Sequence, residues 1–312
     1  MRRLLRRLVV GLLAAVLVLL LQLPQRAARS AGLLAPGRLP PPASCRAPCA
    51  QTTVTVATLN VLCSFCGKEG YDGWPARAPH LRALLDGVSA DIVALQEVSR
   101  RAHAEAILGP GYVIVAPRGY TDALIGYRQA RFAEESSGAW WLSPTPDIPL
   151  SWGWQRLAFP RVATWAVLRE RTSGQPITVV TTHLDNNAPN KEGGASLLGT
   201  RLPPLADVGP LVFLGDFNTR AREERFTRLR GDLVEVESIA ESMEQHGTLE
   251  GVPHTRRELS PRHRIDHILV GGPQGVTVEG WQHLAPVYGD PQRRPSDHPA
   301  ITATITIPKG SL

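Results

Sequence analysis

One repeated unit constrains this chain more than any other feature. It is a short apolar or β-branched run that stops on an acid, an amide or a histidine. Thr52–Leu59 stops at Asn60, and Asp91–Leu95 runs into Gln96 and Glu97. Ile177–Thr182 stops at His183, and Pro210–Leu214 stops at Gly215-Asp216-Phe217-Asn218. Runs this short and this rich in Val, Ile and Thr are strands, not helices. Two more polar groups open strands instead of closing them: Asp266 at the start of Ile265–Val270, and Asp297-His298 just before Ala300–Ile307. Each group has an ordinary structural use. Asn60 can end a strand, Gly-Asp-x-Asn suits a turn, and a single histidine usually sits satisfied in a core. Structure alone does not supply their recurrence at strand ends.

Helical segments separate the runs. Leu81–Val88 carries helical apolar spacing, Glu223–Leu229 reads as a helix and Ala195–Leu202 as a short one. Tyr112–Ala116, Ala123–Tyr127, Ala139–Leu142 and Arg161–Arg169 read as further strands, with a Pro- and Trp-rich loop over Ser143–Trp154. No repeat and no composition break divides the chain after residue 50. The pattern predicts one α/β domain over residues 51–308, with two packed sheets covered by helices.

The formal net charge of +6 on 312 residues suggests an acidic partner until its location is considered. Residues 1–30 hold six arginines and no acid, so the remainder is neutral. Whole-chain charge therefore says little about substrate. Those 30 residues have their own signature: a basic start, then the apolar run Leu8–Leu21, shorter than the roughly 20 residues that span a bilayer. This fits a signal peptide with a small-x-small cleavage site at Ala28-Arg29-Ser30. The alternative is an uncleaved N-terminal anchor that associates the chain with a membrane. Either places the domain outside the cytoplasm, secreted or membrane-anchored on the extracytoplasmic side. Residues 31–50, with Pro36, Pro40, Pro41 and Pro42, read as an extended linker. Cys45, Cys49, Cys63 and Cys66 have a spacing that could hold zinc, but behind an export signal disulfides are the better reading. Spacing does not choose among the three pairings.

Six stretches then carry a resemblance: ATLNV, DIVALQEV, TTHLD, FLGDFNT, RIDHILV and SDHPAI, in that order. The chain resembles the endonuclease/exonuclease/phosphatase superfamily, which includes pancreatic-type deoxyribonucleases, sphingomyelinases and inositol-polyphosphate phosphatases. RFAEESSGAWWLSPTP and FPRVATW look like a bacterial exported branch of it. The resemblance implies a four-layer α/β/β/α sandwich and a metal-dependent phosphoesterase. It implies Glu97 as principal ligand of Mg²⁺, with Mn²⁺ or Ca²⁺ as alternatives, supported by Asn60 and Asp297. Asp216 would orient or deprotonate the attacking water, while Asn218 and His183 would donate to phosphate oxygens. His298 would act as acid/base or stabilise the crowded phosphorus, with Asp266 orienting its ring. The chain departs from the family pattern over Asn186–Gly194, which reads as a flexible loop.

Substrate is less constrained. Arg220, Arg222, Arg225, Arg228 and Arg230 follow the Gly-Asp-Phe-Asn motif. Arg256, Arg257, Arg262 and Arg264 precede Asp266, and Arg293 and Arg294 precede Asp297. These suggest an electropositive rim, so a nucleic acid is expected ahead of a lipid as the phosphodiester partner. Trp140, Trp141, Trp152 and Trp154 could stack bases, touch a lipid interface or fill a core. The expectation is an exported, monomeric, endonuclease-like hydrolase. Alternatives are a phospholipid or sphingomyelin phosphodiesterase, a phosphatase, or a non-catalytic binding module on the same scaffold.

Overall fold

A computed structural model describes residues 49–156, 159–207, 209–236, 264–272 and 275–310. The leader, most of the linker, Cys45, Arg256, Arg257 and Arg262 lie outside the described residues.

Alternating β-branched residues pair into two six-stranded sheets. The first uses β1 (Thr52–Asn60), β2 (Ile92–Gln96), β3 (Tyr112–Val115), β4 (Ala123–Arg128), β11 (Thr277–Leu284) and β12 (Ala300–Ile307), ordered β11-β12-β1-β2-β4-β3. The second uses β5 (Phe132–Trp141), β6 (Val162–Glu170), β7 (Pro176–His183), β8 (Leu211–Asp216), β9 (Val234–Glu235) and β10 (Asp266–Gly271), ordered β5-β6-β7-β8-β10-β9. Inward residues of both sheets, such as Val54, Ile92, Ile125, Val179, Leu214 and Ile305, share one central core. The outer face of the first sheet is covered by α1 (Trp74–Val88) and α2 (Arg101–Leu108), through Leu81, Leu85, Ala104 and Ile107. That of the second is covered by α3 (Asn190–Arg201), α4 (Pro203–Ala206) and α5 (Glu224–Arg230), through Ala195, Leu198, Leu205 and Phe226. The expected four-layer α/β/β/α sandwich is the observed one.

The pairing sense decides where chemistry collects. β1 and β2 are parallel, as are β7 and β8, so all four deliver their C-terminal ends to one edge. Strands antiparallel to them present their beginnings at that same edge. Asp266 of β10 is register partner of Asp216 on β8, and His183 of β7 is its partner on the other side. The buried Gln96 links the layers beneath this edge: its Oε1 accepts from Thr58 and its Nε2 donates to Thr181 of the opposite sheet.

Some elements differ from the sequence reading. The helix read from Leu81 begins at Trp74, because Pro75 sits in its first turn, where a missing N–H costs nothing. β5 begins at Phe132, seven residues ahead of the read start at Ala139. α2 and β11 were not read: α2 shows only two turns of pattern, and a bulge between Val278 and Gly280 breaks the alternation of β11. Asn186–Gly194 is not wholly a loop. α3 starts at Asn190, whose side chain donates to Asp185 Oδ2 and to the Gln155 carbonyl and accepts from the Gln155 N–H. Three glycines stand in this helix: a Cβ on Gly193 would meet the Trp154 ring at 2.3 Å, one on Gly194 would meet Leu184 at 3.1 Å, and one on Gly199 would meet the Arg228 carbonyl oxygen at 2.5 Å.

Candidate active site

Asp216 is the hub. It ends β8, is 1% exposed, and follows a glycine that the backbone requires. Gly215 has φ +151°, and a Cβ there would fall 2.2 Å from the Thr182 carbonyl oxygen of the neighbouring strand. Asp216 Oδ1 accepts from the Asn218 N–H at 2.8 Å, a turn that sets Asn218 at φ +45°. Asp216 Oδ2 accepts from Asn60 Nδ2 at 3.0 Å and lies 3.5 Å from His183 Nε2 and 3.9 Å from His298 Nε2. Burial pushes the Asp216 carboxyl up, but His183, His298, the Asn218 N–H and the Asn60 amide outweigh it and hold it below its ordinary range.

Asn60 joins this hub to the other sheet. The same Nδ2 donates to Glu97 Oε1 at 3.0 Å, and its Oδ1 accepts from the Leu62 N–H. Glu97 stands just past β2 with φ +60°, anchored by its own N–H on the Asp122 carbonyl, and its Oε2 accepts from the Cys63 N–H at 3.0 Å. Ser296 holds the far side: its hydroxyl donates to the Asn60 carbonyl and accepts from the His298 N–H.

His298 Nδ1 lies 2.8 Å from Asp266 Oδ2. Burial lowers the imidazole, but Asp266, then Asp216 and Asp297, push it up to about 10, so the ring is an imidazolium with its Nε2–H toward Asp216. Burial, with Asp216 adding to it, pushes Asp266 up instead. Asp216 is therefore the carboxylate that keeps its charge more firmly.

Two site residues escaped the sequence reading. Asp122 precedes β4 and Arg161 precedes β6, both strands that start at this edge. Arg161 Nη1 donates to Asp122 Oδ2 at 2.9 Å. His183 Nδ1 lies 3.3 Å from Asp122 Oδ1 and 2.8 Å from Arg161 Nη1, and it cannot donate to one while accepting from the other. Burial and Arg161 lower the imidazole, but Asp122 and Asp216 raise it above the ordinary value, which favours an Nδ1–H donated to Asp122. Burial raises Asp122, yet His183 and Arg161 bring it down to about 2. Strand sense was the signal that could have found this pair.

Arg77 was also missed. It is 1% exposed in α1, and its guanidinium donates to the carbonyls of Val61, Leu62, Cys63, Pro295 and Asp72. It thereby ties the loop after Asn60 to the loop before Ser296-Asp297-His298. Asp185, by contrast, accepts from the Asn187 N–H and Asn190 and serves the start of α3. Asn218 has one amide N–H committed to the Leu184 carbonyl and keeps the other.

The donor set fits a hard divalent cation. Glu97, Asp216, Asp266 and Asp297 offer carboxylate oxygens, and Asp266 Oδ1 and Asp297 Oδ1 are buried with no hydrogen-bond partner among the described residues. Asp297 Oδ2 pairs with Lys68 Nζ at 2.5 Å. Carboxylate oxygens of Asp216 and Asp266 lie within 4.8 Å of each other. Cys63 and Cys66 form a disulfide with each other, and Cys49 is also disulfide-bonded, as the disulfide reading expected.

Two cavities are lined in part by site residues. One of about 610 Å³ runs from Glu97, Asp122, Arg161 and His183 to Phe65 and Phe159. Those two rings are 68% and 51% exposed with centroids 6.3 Å apart. The other, about 580 Å³, is lined by Lys191, Asn218, Arg220, Arg222 and Arg225 beside Glu223. The expected arginine rim is thinner than the sequence suggests. Arg225 pairs with Glu192 and Glu223, Arg228 with Glu192 and Arg293 with Asp72, while Arg264 is buried over the Trp281 ring. Trp140 and Trp141 are 1% and 5% exposed, so they belong to the interior and stack no base.

The model of the Endonuclease/Exonuclease/phosphatase family matches residues 57–298, which span every cluster described above. The chain belongs to this family. Among solved structures it resembles a Bacteroides thetaiotaomicron member of the family, 24% identical, with a TM-score of 0.70, covering 83% of this chain and 96% of that one. It also resembles a mannosyl-6-phosphatase from the same organism, 25% identical, with a TM-score of 0.67, covering 81% and 99%. An uncharacterized protein of Acanthamoeba polyphaga mimivirus is 29% identical over 187 residues, which is 47% of this chain and 27% of the viral protein. The six stretches recognised in the sequence thus mark a phosphoesterase fold.

Proposed function

We propose that the chain is a metal-dependent phosphodiesterase, an endonuclease-like hydrolase that acts on nucleic acid. The observation that carries this reading is a pair of cavities that share their linings with the site, one through Glu97 and His183 and the other through Asn218. A phosphodiester extends from phosphorus in two directions. One cavity offers aromatic rings and the other offers Lys191, Arg220 and Arg222 beside Asn218. Stacking surface in one and cationic groups in the other suit a base and a phosphate track.

In this reading Glu97, with Asn60 and Asp297, holds Mg²⁺, or Mn²⁺ or Ca²⁺ in its place. The ion, when bound, supplies neutralisation of charge on a phosphate oxygen. The chain's own groups do the rest. Asp216, firmly ionised, orients a water and takes its proton. His183, fixed by Asp122, which Arg161 in turn holds, and Asn218, through its remaining amide N–H, donate to non-bridging oxygens as charge develops. His298, held by Asp266 through Nδ1, presents Nε2–H to the same centre. The chain acts as a monomer, exported by residues 1–30 or anchored by them on the extracytoplasmic side.

A second reading, a phosphomonoesterase, draws on the likeness to the mannosyl-6-phosphatase. Hydrolysis of plasmid DNA, sphingomyelin, bis-p-nitrophenyl phosphate and p-nitrophenyl phosphate, each with and without EDTA, separates the two. Metal-dependent cleavage of DNA and of the synthetic diester is expected. Turnover of the monoester alone would replace the diesterase reading, and no turnover of any substrate would favour a binding module.

A further inference from the structure

The Cys63–Cys66 pair does more than brace a loop. Cys63 is buried and Cys66 is exposed, so a reductant can reach the disulfide from the cleft side. The Cys63 N–H donates to Glu97 Oε2, which keeps that carboxylate beside both sulfurs. The sulfur atoms and a Glu97 oxygen lie within 4.8 Å of one another. The C-x2-C spacing, with Cα atoms 5.1 Å apart, is one that zinc sites use. While the disulfide is intact the sulfurs have no thiolate to offer, and only the oxygen of Glu97 is available to a hard cation.

We propose that reduction of the Cys63–Cys66 disulfide turns this corner of the cleft into a site for a thiophilic divalent cation such as Zn²⁺, held by both cysteine sulfurs and the Glu97 carboxylate. In the reduction step an external dithiol gives two electrons and two protons to the disulfide, leaves two thiols and becomes a disulfide itself. On binding, Zn²⁺ displaces the two thiol protons to solvent. Soft sulfur favours Zn²⁺ over Mg²⁺, so Glu97 is diverted from the hard-cation role assigned to it above. The metal site stands on its own geometry, while its effect on turnover rests on the proposed phosphodiesterase reading. An oxidising compartment would keep the hydrolytic site open, and a reducing one would close it.

Co²⁺ is the probe, because its thiolate complexes absorb where unligated protein does not. Full-length protein, with and without dithiothreitol treatment and desalting, is titrated with Co²⁺ and then with Zn²⁺ as competitor. The reduced wild type is expected to bind Co²⁺ with thiolate charge-transfer absorption, and the oxidised protein to show no such absorption, whatever Co²⁺ its carboxylates hold. The reduced double variant Cys63→Ser/Cys66→Ser, which keeps the Cys63 backbone N–H position and any other thiols, should lose the absorption. Reduced Glu97→Gln should retain thiolate absorption with weakened affinity. Circular dichroism on each sample confirms that the fold persists. Absence of the absorption in folded, reduced wild type, its persistence in the double variant, or unchanged affinity in Glu97→Gln would each overturn the site. None of these readouts requires phosphoesterase turnover, so failure of the diesterase reading leaves them intact.

Discussion

At the scale of single residues, the site is organised around one charged carboxylate among donors. Asp216 accepts from Asn60 and the Asn218 N–H, with two imidazoles within 4 Å. Asp216→Ala and His298→Ala are each expected to lower kcat by about 10²–10⁴-fold while leaving the circular dichroism spectrum unchanged, and near-full turnover in either variant would refute its role. Asp122 allows a pH prediction. Its pKa is depressed to about 2 from an ordinary 3.8, so it contributes stability above the ordinary value that is lost as pH falls through the depressed one. At neutral pH that contribution is about 2 kcal/mol. Asp122→Asn should therefore lower Tm at pH 7 and flatten the acid side of the Tm–pH curve between about pH 4 and pH 2. It should also lower kcat through His183. A wild-type acid profile in the variant would show that Asp122 is not held by Arg161 and His183.

At the scale of elements, two packing devices hold the site edge. Arg77 in α1 has five backbone carbonyls as hydrogen-bond acceptors, on loops that belong to different strands. Burial lowers its pKa, so the charge is maintained by carbonyl dipoles together with more distant acids. Arg77→Met should destabilise by about 3 kcal/mol or more in urea unfolding, because those carbonyls are left without donors. The second device is the close passage of β7 and β8 at Gly215. Gly215→Ala would place a methyl group against the Thr182 carbonyl, and the expected result is lost stability together with lost turnover as Asp216 shifts. These elements also show how much the sequence disclosed. The central strands were legible because each is an apolar run bounded by polar residues. β11 and α2 were not, because a bulge broke one period and the other is two turns long.

For the molecule as a whole, the two sheets meet so that strand ends from both layers converge, and a bound cation would tie them together. Mg²⁺ should raise Tm in proportion to the logarithm of its concentration above Kd, EDTA should reverse the rise, and Glu97→Gln should abolish it. An unchanged Tm across a Mg²⁺ titration would argue against the Glu97 site, whatever the activity. The sequence by itself determined the layered α/β class and the strands that begin or end in an acid, an amide or a histidine, the groups from which the eight proposed site residues are drawn. It could do so because burial periodicity and strand-end polarity are local properties of the chain. Only the tertiary structure decided that Asp122, Arg161 and Arg77 belong with them, since each acts through partners that lie far off in sequence. Tertiary packing likewise moved Trp140 and Trp141 from a candidate stacking surface into the interior and left Phe65 and Phe159 at the cleft. It also paired Arg225, Arg228 and Arg293 with neighbouring acids. Charge and aromaticity are written in the sequence, but their exposure is fixed by what packs against them.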